Sequence, residues 1–379
     1  MEPLRIAFIG AGRRALYLYR RIIEELDDVV LVGVWSRREQ SARSLGEELS
    51  VPWFTDMARL KSETGAVAGI ITVSYSANGT VGIEAVSNGF HILTETPIAH
   101  ELSQADEIIR IASDNNLHVE VAEQFHRRPL EQIKLKLISA GVFGRIYSSF
   151  NDFAGHGYHG VSVMRSYLGF EARPVRVVGS VHEFPLPGHY SINSGTYEPR
   201  TESQEHGIVE FEDDRVGIFH WTSVGYDSGL RWWRASRFYG ERGMGVMYGT
   251  FNEPVTELTS LGPDAHGPRA ITIQRELERC DGGALKVVRV LTGDPDLPIV
   301  EWHNPFAQRE AGRNPEWHDD EIGVAGCIQS LVDAIRSDSA PSYGAVQARL
   351  DQEVILAIRA SAADGNTPVT LPMERPSEG

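Results

Sequence analysis

Cysteine is scarce in this chain, which has two among 379 residues, at positions 280 and 327. So few thiols provide neither a disulfide framework nor a thiolate metal site. Long hydrophobic runs are lacking too, since no apolar stretch approaches the roughly 20 residues that cross a bilayer. The N-terminus leads into a strand-like run without a basic and apolar leader. We therefore expect a soluble, cytoplasmic protein with no membrane partner.

Positive charge is also in short supply. Lys and Arg total 36 against 52 Asp and Glu, which gives a formal net charge of −16. Binding a phosphate backbone requires a basic face, so no nucleic acid partner is expected, although a local pocket for one phosphate remains compatible. The length predicts two domains, and a hydrophobic content of 41% is typical of a globular chain with a sizeable core.

A glycine-rich turn follows the first predicted strand. Leu4–Ile9 is a short apolar run of the kind found in parallel strands buried on both faces. In the motif that follows, Gly10 permits a tight turn, Gly12 lets the backbone approach a diphosphate, and Ala15 allows close packing of helix and strand. The diphosphate would lie on the N-terminus of the next helix. The predicted cofactor-binding residues here are Gly10, Gly12, Arg13, Arg14 and Ala15.

The end of the second predicted strand, Val29–Trp35, bears on the choice of cofactor. A ribose-binding carboxylate usually lies about 20 residues after the glycine turn. This chain instead has Ser36, Arg37 and Arg38 there, which can hydrogen-bond and neutralise a 2′-phosphate. NADP is therefore favoured, with NAD as the second choice. The alternative is that the two arginines form only a solvated turn.

Predicted strands and helices alternate up to about residue 125, which indicates a doubly wound parallel sheet. Ligands of such a sheet lie beyond the carboxyl ends of its strands. The later strand ends thus add residues to the predicted cofactor site: Ser74, Tyr75, Asn78, Glu95 and Thr96.

Four segments together resemble the glucose-fructose oxidoreductase/inositol dehydrogenase (Gfo/Idh/MocA) family. They are the Gly10–Ala15 turn, Ala85–Pro97, the strand-turn Phe238–Gly243 and the helix Gln347–Ala363 leading to Pro372. The resemblance implies an α/β Rossmann domain over residues 1–125 and an α+β domain over residues 126–379. The second domain would contain a large open, mostly antiparallel sheet that binds a small-molecule substrate. The resemblance also implies a homodimer or homotetramer formed through that sheet.

Two departures from the family pattern concern its proton chemistry. Thr96 lies where the family has a catalytic lysine, and a threonine has no ionisation near neutral pH. Alignment on Arg165–Gly169 places Gly155 and Ser162 where the family has aspartates, and His159 where it has a histidine. The resemblance therefore implies that only the histidine of this second motif is kept.

The segment His156-Gly-Tyr-His159 is the predicted catalytic cluster. Histidine is the natural proton carrier near neutral pH, so we predict His159 as the acid/base, with Tyr158 or His156 as helper and Thr96 nearby. Helical spacing over Gly160–Leu168 would place His159 just before a helix N-terminus, which favours a neutral imidazole. A purely structural role remains the alternative for either histidine.

A second set of polar residues follows the last strand of the first predicted domain. Glu123, His126 and Arg127 would line the pocket mouth and bind substrate together with Tyr158. Arg127 and Arg128 could clamp a carboxylate or phosphate, and a salt bridge within the fold is the alternative. Glu123 and His126 could also join the two histidines around a metal, but we expect no metal.

The second half of the chain yields further expectations. Pro185–Arg200 is predicted to be a long loop and a candidate lid, and Asp281–Asn314 to be irregular. His206, His220, Trp221 and Arg231–Arg234 favour a subunit interface over a sugar platform. Residues after Met373 are expected to be disordered.

These features together predict an NADP-dependent oxidoreductase. It would transfer hydride between nicotinamide and a small polar carbonyl, alcohol or imine, such as a sugar, a cyclitol or a natural-product intermediate. An iminium substrate is attractive without the lysine because it carries its own positive charge. The alternatives are a redox-neutral lyase or hydrolase that uses a bound nicotinamide transiently, and a catalytically silent ligand-binding paralogue.

Overall fold

The computed structural model describes residues 2–152, 155–192, 194–228, 233–250, 254–261, 269–277, 284–307 and 317–373. The chain divides into two compact units. The first comprises Met1–Arg127 with Asp320–Leu350, and the second comprises Arg128–Asp319 with Asp351–Gly379. The sequence-based division left residues 320–350 in the second domain, whereas their contacts assign them to the first unit.

The first unit contains a parallel sheet of six strands in the order β3-β2-β1-β4-β5-β6. Its strands are β1 (Leu4–Ile9), β2 (Val29–Trp35), β3 (Trp53–Phe54), β4 (Ala68–Ile71), β5 (His91–Thr94) and β6 (Val119–Val121). β4 is buried along its whole length, as expected for a strand covered on both faces. The strand order reverses between β1 and β4, which confirms the predicted doubly wound Rossmann sheet.

The second unit contains a mixed, mostly antiparallel sheet, as predicted. Its described strands follow the order β16-β15-β14-β13-β12-β11-β7-β10-β9-β8-β17, in which β7 and β10 run parallel. They are β7 (Ile146–Asp152), β8 (Pro174–Tyr190), β9 (Tyr197–Phe211), β10 (Val216–Thr222), β11 (Trp233–Gly240), β12 (Gly243–Thr250), β13 (Pro254–Ser260), β14 (Arg269–Leu277), β15 (Leu285–Leu291), β16 (Ile299–His303) and β17 (Val369–Thr370).

The first helix opens with a π-helical segment, Ala15–Tyr19. The α-helices are α1 (Arg20–Glu25), α2 (Glu39–Leu49), α3 (Met57–Thr64), α4 (Asn78–Ser87), α5 (Leu102–Asp114), α6 (Pro129–Ser139), α7 (Gly157–Leu168), α8 (Ser223–Tyr226), α9 (Asp319–Ser337) and α10 (Ala345–Ala363). Among the described residues, none of these helices is both long and apolar enough to span a bilayer.

Helix α9 explains why residues 320–350 belong to the first unit. The Ser330 hydroxyl donates a 2.6 Å hydrogen bond to Oε2 of Glu120, which lies on β6. The carbonyl of Gly326 accepts a 3.0 Å hydrogen bond from Nη1 of Arg127. Both bonds attach α9 to the end of the first sheet. The sequence analysis did not predict this helix.

The prediction of a long loop over Pro185–Arg200 is wrong. Instead, β8 and β9 form one long antiparallel hairpin whose register continues from Val177 opposite Val209 to Tyr190 opposite Tyr197. Beyond Val177 the described partner of β8 is β9 alone, because β17 pairs only with Arg176 and Val177. Proline lacks an N–H donor, so an edge strand of this kind tolerates it. For this reason the prolines of the segment did not exclude a strand.

The predicted irregular segment Asp281–Asn314 also contains regular structure. β15 pairs with β14 on one side and with β16 on the other. The core of β15, Val287–Val290, alternates around Arg289 and is rich in β-branched residues, a pattern that favours strand. Residues 281–283, 308–314 and those after Met373 lie outside the described residues, as do Cys280, Arg231 and Trp232.

Candidate cofactor and active site

The glycine turn lies directly against the end of β4. Gly10 has φ +116°, in the region that favours glycine. A Cβ on Gly12 would lie 2.5 Å from the carbonyl oxygen of Thr72. The hydroxyl of Thr72 donates a 3.1 Å hydrogen bond to the Gly10 carbonyl, and Ala15 is fully buried. The turn therefore requires both glycines for the fold itself, at the edge where a ligand of this sheet would lie.

The segment after β5 is held rigidly by one amide side chain. Asn78 is buried, and its Nδ2 donates hydrogen bonds of 2.7 Å to the carbonyl of Glu95 and 2.6 Å to that of Pro97. Its Oδ1 accepts a 3.1 Å hydrogen bond from the Thr94 hydroxyl. Asn78, predicted as a cofactor ligand, thus fixes the backbone around Thr96. Ser74 and Tyr75 lie exposed on the neighbouring strand end.

An ion pair joins the glycine turn to this segment. Nε of Arg14 lies 2.6 Å from Oε1 of Glu95. The Arg14 side chain is 49% exposed, whereas that of Glu95 is 12% exposed. Partial burial lowers the pKa of Arg14, but the adjacent Glu95 carboxylate more than offsets this and keeps it above its usual value. The guanidinium thus provides a permanent cation at this rim.

The predicted 2′-phosphate residues lie at the end of β2. The Ser36 hydroxyl accepts a 3.3 Å hydrogen bond from the backbone N–H of Arg38, and Arg37 and Arg38 are exposed. A cleft of about 380 Å³ adjoins the glycine turn between the first helix and α2. Its lining includes Gly12, Arg13, Gln40 and Ser41. The sequence analysis did not identify the α2 residues because that helix was not predicted.

Of the residues predicted at the pocket mouth, Glu123 and His126 are buried and Arg127 is half-buried, and their charges interact within the first unit. Nη2 of Arg127 forms a 2.5 Å ion pair with Glu120. Burial raises the pKa of Glu120 to about 7, although Arg127 acts in the opposite direction. Burial and then Arg127 lower the pKa of His126. Glu123 accepts a 3.1 Å hydrogen bond from the backbone N–H of Phe125. Of the two roles that the sequence allowed for Arg127, a substrate clamp or a salt bridge within the fold, the structure contains the salt bridge.

The predicted catalytic histidines lie at the start of α7. This helix begins at Gly157 rather than Gly160, so His156 is its N-cap residue and His159 lies in its first turn. His159 is buried, with 7% of its surface exposed. Its ring centroid lies 4.9 Å from that of His156 and 4.6 Å from that of Tyr158. The three rings therefore form one contiguous aromatic cluster.

The backbone before these histidines is clamped to the end of β7. Asn151 exchanges two 2.9 Å hydrogen bonds with Gly155, one through its Nδ2 and one through its Oδ1. A Cβ on Gly160 would lie 2.5 Å from the Gly155 carbonyl oxygen. This tight turn fixes the direction in which α7 begins. It therefore fixes the three rings of His156, Tyr158 and His159 relative to the sheet.

A second histidine cluster lies on the second sheet, on the face opposite to α7. Nδ1 of His220 lies 2.8 Å from Oδ1 of Asp152, a hydrogen bond that lowers the pKa of the Asp152 carboxyl. The rings of His206 and His220 stack at 4.8 Å, and His182 meets His206 at 5.7 Å. The sequence analysis named His206 and His220 but not Asp152. Both histidines are equally far along the chain from Asp213, which lies between β9 and β10, a signal that they are cross-strand partners.

The sequence left a metal site open as an alternative role for Glu123, His126, His156 and His159. In the described part of the chain, no three His, Cys, Asp or Glu side chains gather in a way that could hold a metal ion. Glu123 and His126 belong to the first unit, and His156 and His159 to the second. Cys327 is buried in α9, and burial raises the pKa of its thiol.

Comparison with known proteins agrees with this geometry. Residues 4–123 match the family model of the Gfo/Idh/MocA oxidoreductases, described as an oxidoreductase family with an NAD-binding Rossmann fold. This part of the chain is therefore similar to the NAD-binding domain of that family. The matched residues include the glycine turn, the end of β2 and the Thr94–Pro97 segment.

Relatives extend the similarity beyond this domain. The chain is 24% identical over 365 residues to YceM of Salmonella typhimurium, a protein named as an oxidoreductase, covering 94% of this chain and 98% of that one. It is 25% identical over 211 residues to scyllo-inositol 2-dehydrogenase (NAD+) of Bacillus subtilis, covering 50% of this chain and 61% of that one. An Agrobacterium radiobacter oxidoreductase, solved with NAD+, L-tartaric acid and magnesium, shares the fold with a TM-score of 0.68 at 15% identity, covering 98% of both chains.

Proposed function

We propose that this chain is an NADP-dependent oxidoreductase that transfers hydride between nicotinamide and a small polar carbonyl, alcohol or imine. The substrate class is a sugar, a cyclitol or a related natural-product intermediate. The observation that carries the proposal is the Gly10–Gly12 turn at the reversal point of the strand order. No side chain fits on Gly12, so the backbone N–H groups beyond it stay accessible to a diphosphate.

The first unit provides groups for each part of the cofactor. The turn and the following N–H groups would hold the diphosphate, and Ser36, Arg37 and Arg38 the 2′-phosphate. Ser74 and Thr96 would border the nicotinamide, which supplies the hydride chemistry when bound. Thr96 can donate or accept a hydrogen bond but cannot exchange a proton near neutral pH.

We assign to His159 of the second unit the transfer of the proton that accompanies hydride transfer. Its ring is held beside those of Tyr158 and His156, and either could pass a proton between His159 and solvent.

The relatives support the substrate class but not the choice of cofactor. A cyclitol dehydrogenase is among them, which favours a polyhydroxylated substrate. The same relative is named for NAD+, so the preference for NADP rests on Ser36, Arg37 and Arg38 alone.

Cofactor binding tests the proposal directly. Thermal unfolding would be followed with NADP+, NAD+ and no nucleotide, because a ligand at about 100 times its Kd adds roughly 2.7 kcal/mol of stability. We expect both NADP+ and NAD+ to stabilise the chain, with NADP+ acting at lower concentrations. The double variant Arg37→Met, Arg38→Met should lose this preference for NADP+. Arg59→Met, on the exposed side of α3, is the control. No shift with either nucleotide would overturn the proposal.

A further inference from the structure

Arg13 and Arg14 follow the glycine turn, and their side chains contact residues on opposite halves of the first sheet. Arg13 lines the cleft of about 380 Å³ with Gln40 and Ser41 of α2, the helix that follows β2. Arg14 instead bonds Glu95, which follows β5. In the strand order, β2 lies on one side of β1, and β4 and β5 lie on the other. The two guanidinium groups therefore diverge across the point at which the strand order reverses.

A dinucleotide bound across such a point has one nucleotide on each side of it. The half on the β2 side is adenosine, because the ribose-recognising residue follows that strand. Resting on the proposed function, we propose that Arg13 recognises the 2′-phosphate of NADP and that Arg14, oriented by Glu95, binds the phosphate of the nicotinamide half. Arg13 then adds to the NADP preference proposed for Ser36, Arg37 and Arg38, and Arg14 binds NADP and NAD alike.

The surroundings of Arg13 suit a phosphate. Its guanidinium lies 5.6 Å from the centre of the Tyr17 ring, which supports it at the cleft wall. The Arg38 side chain makes no capping hydrogen bond at the start of α2, so the first N–H groups of that helix and the Ser41 hydroxyl can serve as donors. Glu48, the carboxylate in the cleft lining, lies 3.9 Å from Arg20.

The surroundings of Arg14 suit a fixed contact to an anionic oxygen. Nε is bonded to Glu95, and Asn78 fixes the Glu95 backbone in turn. Within the described part of the chain, Glu95 is the side chain that bonds this guanidinium, which leaves the terminal nitrogens for a ligand. Glu95 is thus a positioning residue, and its removal leaves Arg14 charged but poorly oriented.

Binding measurements on the full chain separate the two roles without a known substrate. The variants are Arg13→Met, Arg14→Met and Glu95→Gln, with Arg59→Met as control. The probes are NADPH, NADH, 2′,5′-ADP and 5′-AMP, because the last two lack the nicotinamide half. A charged hydrogen bond lost to a phosphate weakens binding on the order of 10-fold to 100-fold.

We expect Arg13→Met to weaken NADPH and 2′,5′-ADP by that factor and to leave NADH and 5′-AMP unchanged. Arg14→Met should weaken NADPH and NADH equally and leave 2′,5′-ADP unchanged, and Glu95→Gln should reproduce this pattern more weakly. Equal losses of NADPH and NADH in Arg13→Met, or an unchanged NADH affinity in Arg14→Met, would overturn the assignment while the proposed function stands. If the wild-type chain binds neither dinucleotide, the proposed function fails, and this inference with it.

Discussion

Gly12 and Thr72 approach so closely that a Cβ at position 12 would lie 2.5 Å from the Thr72 carbonyl oxygen. The sequence analysis attributed this glycine to the approach of a diphosphate. The structure adds a requirement that holds without any ligand, because the turn after β1 packs against the backbone that leaves β4. The same glycine thus serves both the fold and the predicted site.

The first prediction concerns this contact. Gly12→Ala forces the turn away from Thr72, so we expect a loss of about 1–3 kcal/mol in the free energy of unfolding, typical of an overpacked site. Dinucleotide binding should also fall. Gly344→Ala is the matched control in the same unit, since a Cβ there would have an ordinary contact of 3.5 Å. Denaturant unfolding of both variants checks this, and equal stability of the two would contradict it.

The second prediction concerns Arg165 and Asp351, a fully buried ion pair at 2.5 Å. Arg165→Met removes this cation from a fully buried carboxylate, so we expect a loss of about 3–5 kcal/mol. Arg176→Met is the control, because the Arg176–Glu210 pair is exposed and such pairs contribute at most about 1 kcal/mol. Urea unfolding of the two variants measures the difference. A small effect of Arg165→Met would mean that water reaches Asp351.

Local signals predicted the first unit well and the second less well. β1 was located by its apolar run and glycine turn, both of which are contiguous in the sequence. The ion pair between Arg14 and Glu95 joins residues far apart in the chain, and α9 returns to the first unit after the whole second sheet. Such long-range contacts leave no periodic pattern. The extension of β8 and β9 into residues 185–200 was missed because its prolines resemble loop residues unless the strand is known to lie at an edge.

The third prediction concerns pH and His91. Burial, with smaller contributions from His118 and Lys61, lowers the pKa of His91 to about 4, while Asp338 acts in the opposite direction. The unfolded chain, with a histidine pKa of about 6.5, binds more protons between pH 6.5 and 4. His91 therefore contributes stability above pH 6.5 that is lost as the pH falls toward 4, on the order of 1–3 kcal/mol.

His91→Asn tests this prediction. Its side-chain oxygen can replace Nδ1 as acceptor for the backbone N–H of His118, which lies 2.9 Å away in the wild type. The unfolding free energy of the variant should fall less than that of the wild type between pH 6.5 and 4. His303→Asn, on the exposed end of β16, is the control and should follow the wild type. If the unfolding free energy of all three proteins fell in parallel between pH 6.5 and 4, His91 would be excluded as the source of the pH dependence.

The fourth prediction concerns the open face of the second sheet. Ile208 is paired in register with Ile218 and is 47% exposed, and on the same face Tyr248 and Val255 are 39% and 44% exposed. Exposed apolar side chains on β9, β12 and β13 of one face are typical of a protein interface. We propose that a second copy of the chain covers it. Ile208→Glu should convert an oligomer to monomers in light scattering, whereas Val346→Glu, 61% exposed on α10, should not.

The last prediction concerns His159. If its imidazole moves the proton that accompanies hydride transfer, His159→Gln should lower kcat by about 10²–10⁴ while leaving the Kd for NADPH unchanged. His156→Gln should have a smaller effect, because His156 is assigned only the role of helper beside His159. Stopped-flow measurement of NADPH oxidation with a ketose, or of NADP+ reduction with a polyol, separates these outcomes once a screen has identified the substrate. His206→Gln, on the opposite face of the sheet, is the control, and a kcat for His159→Gln equal to that control would remove His159 from the mechanism.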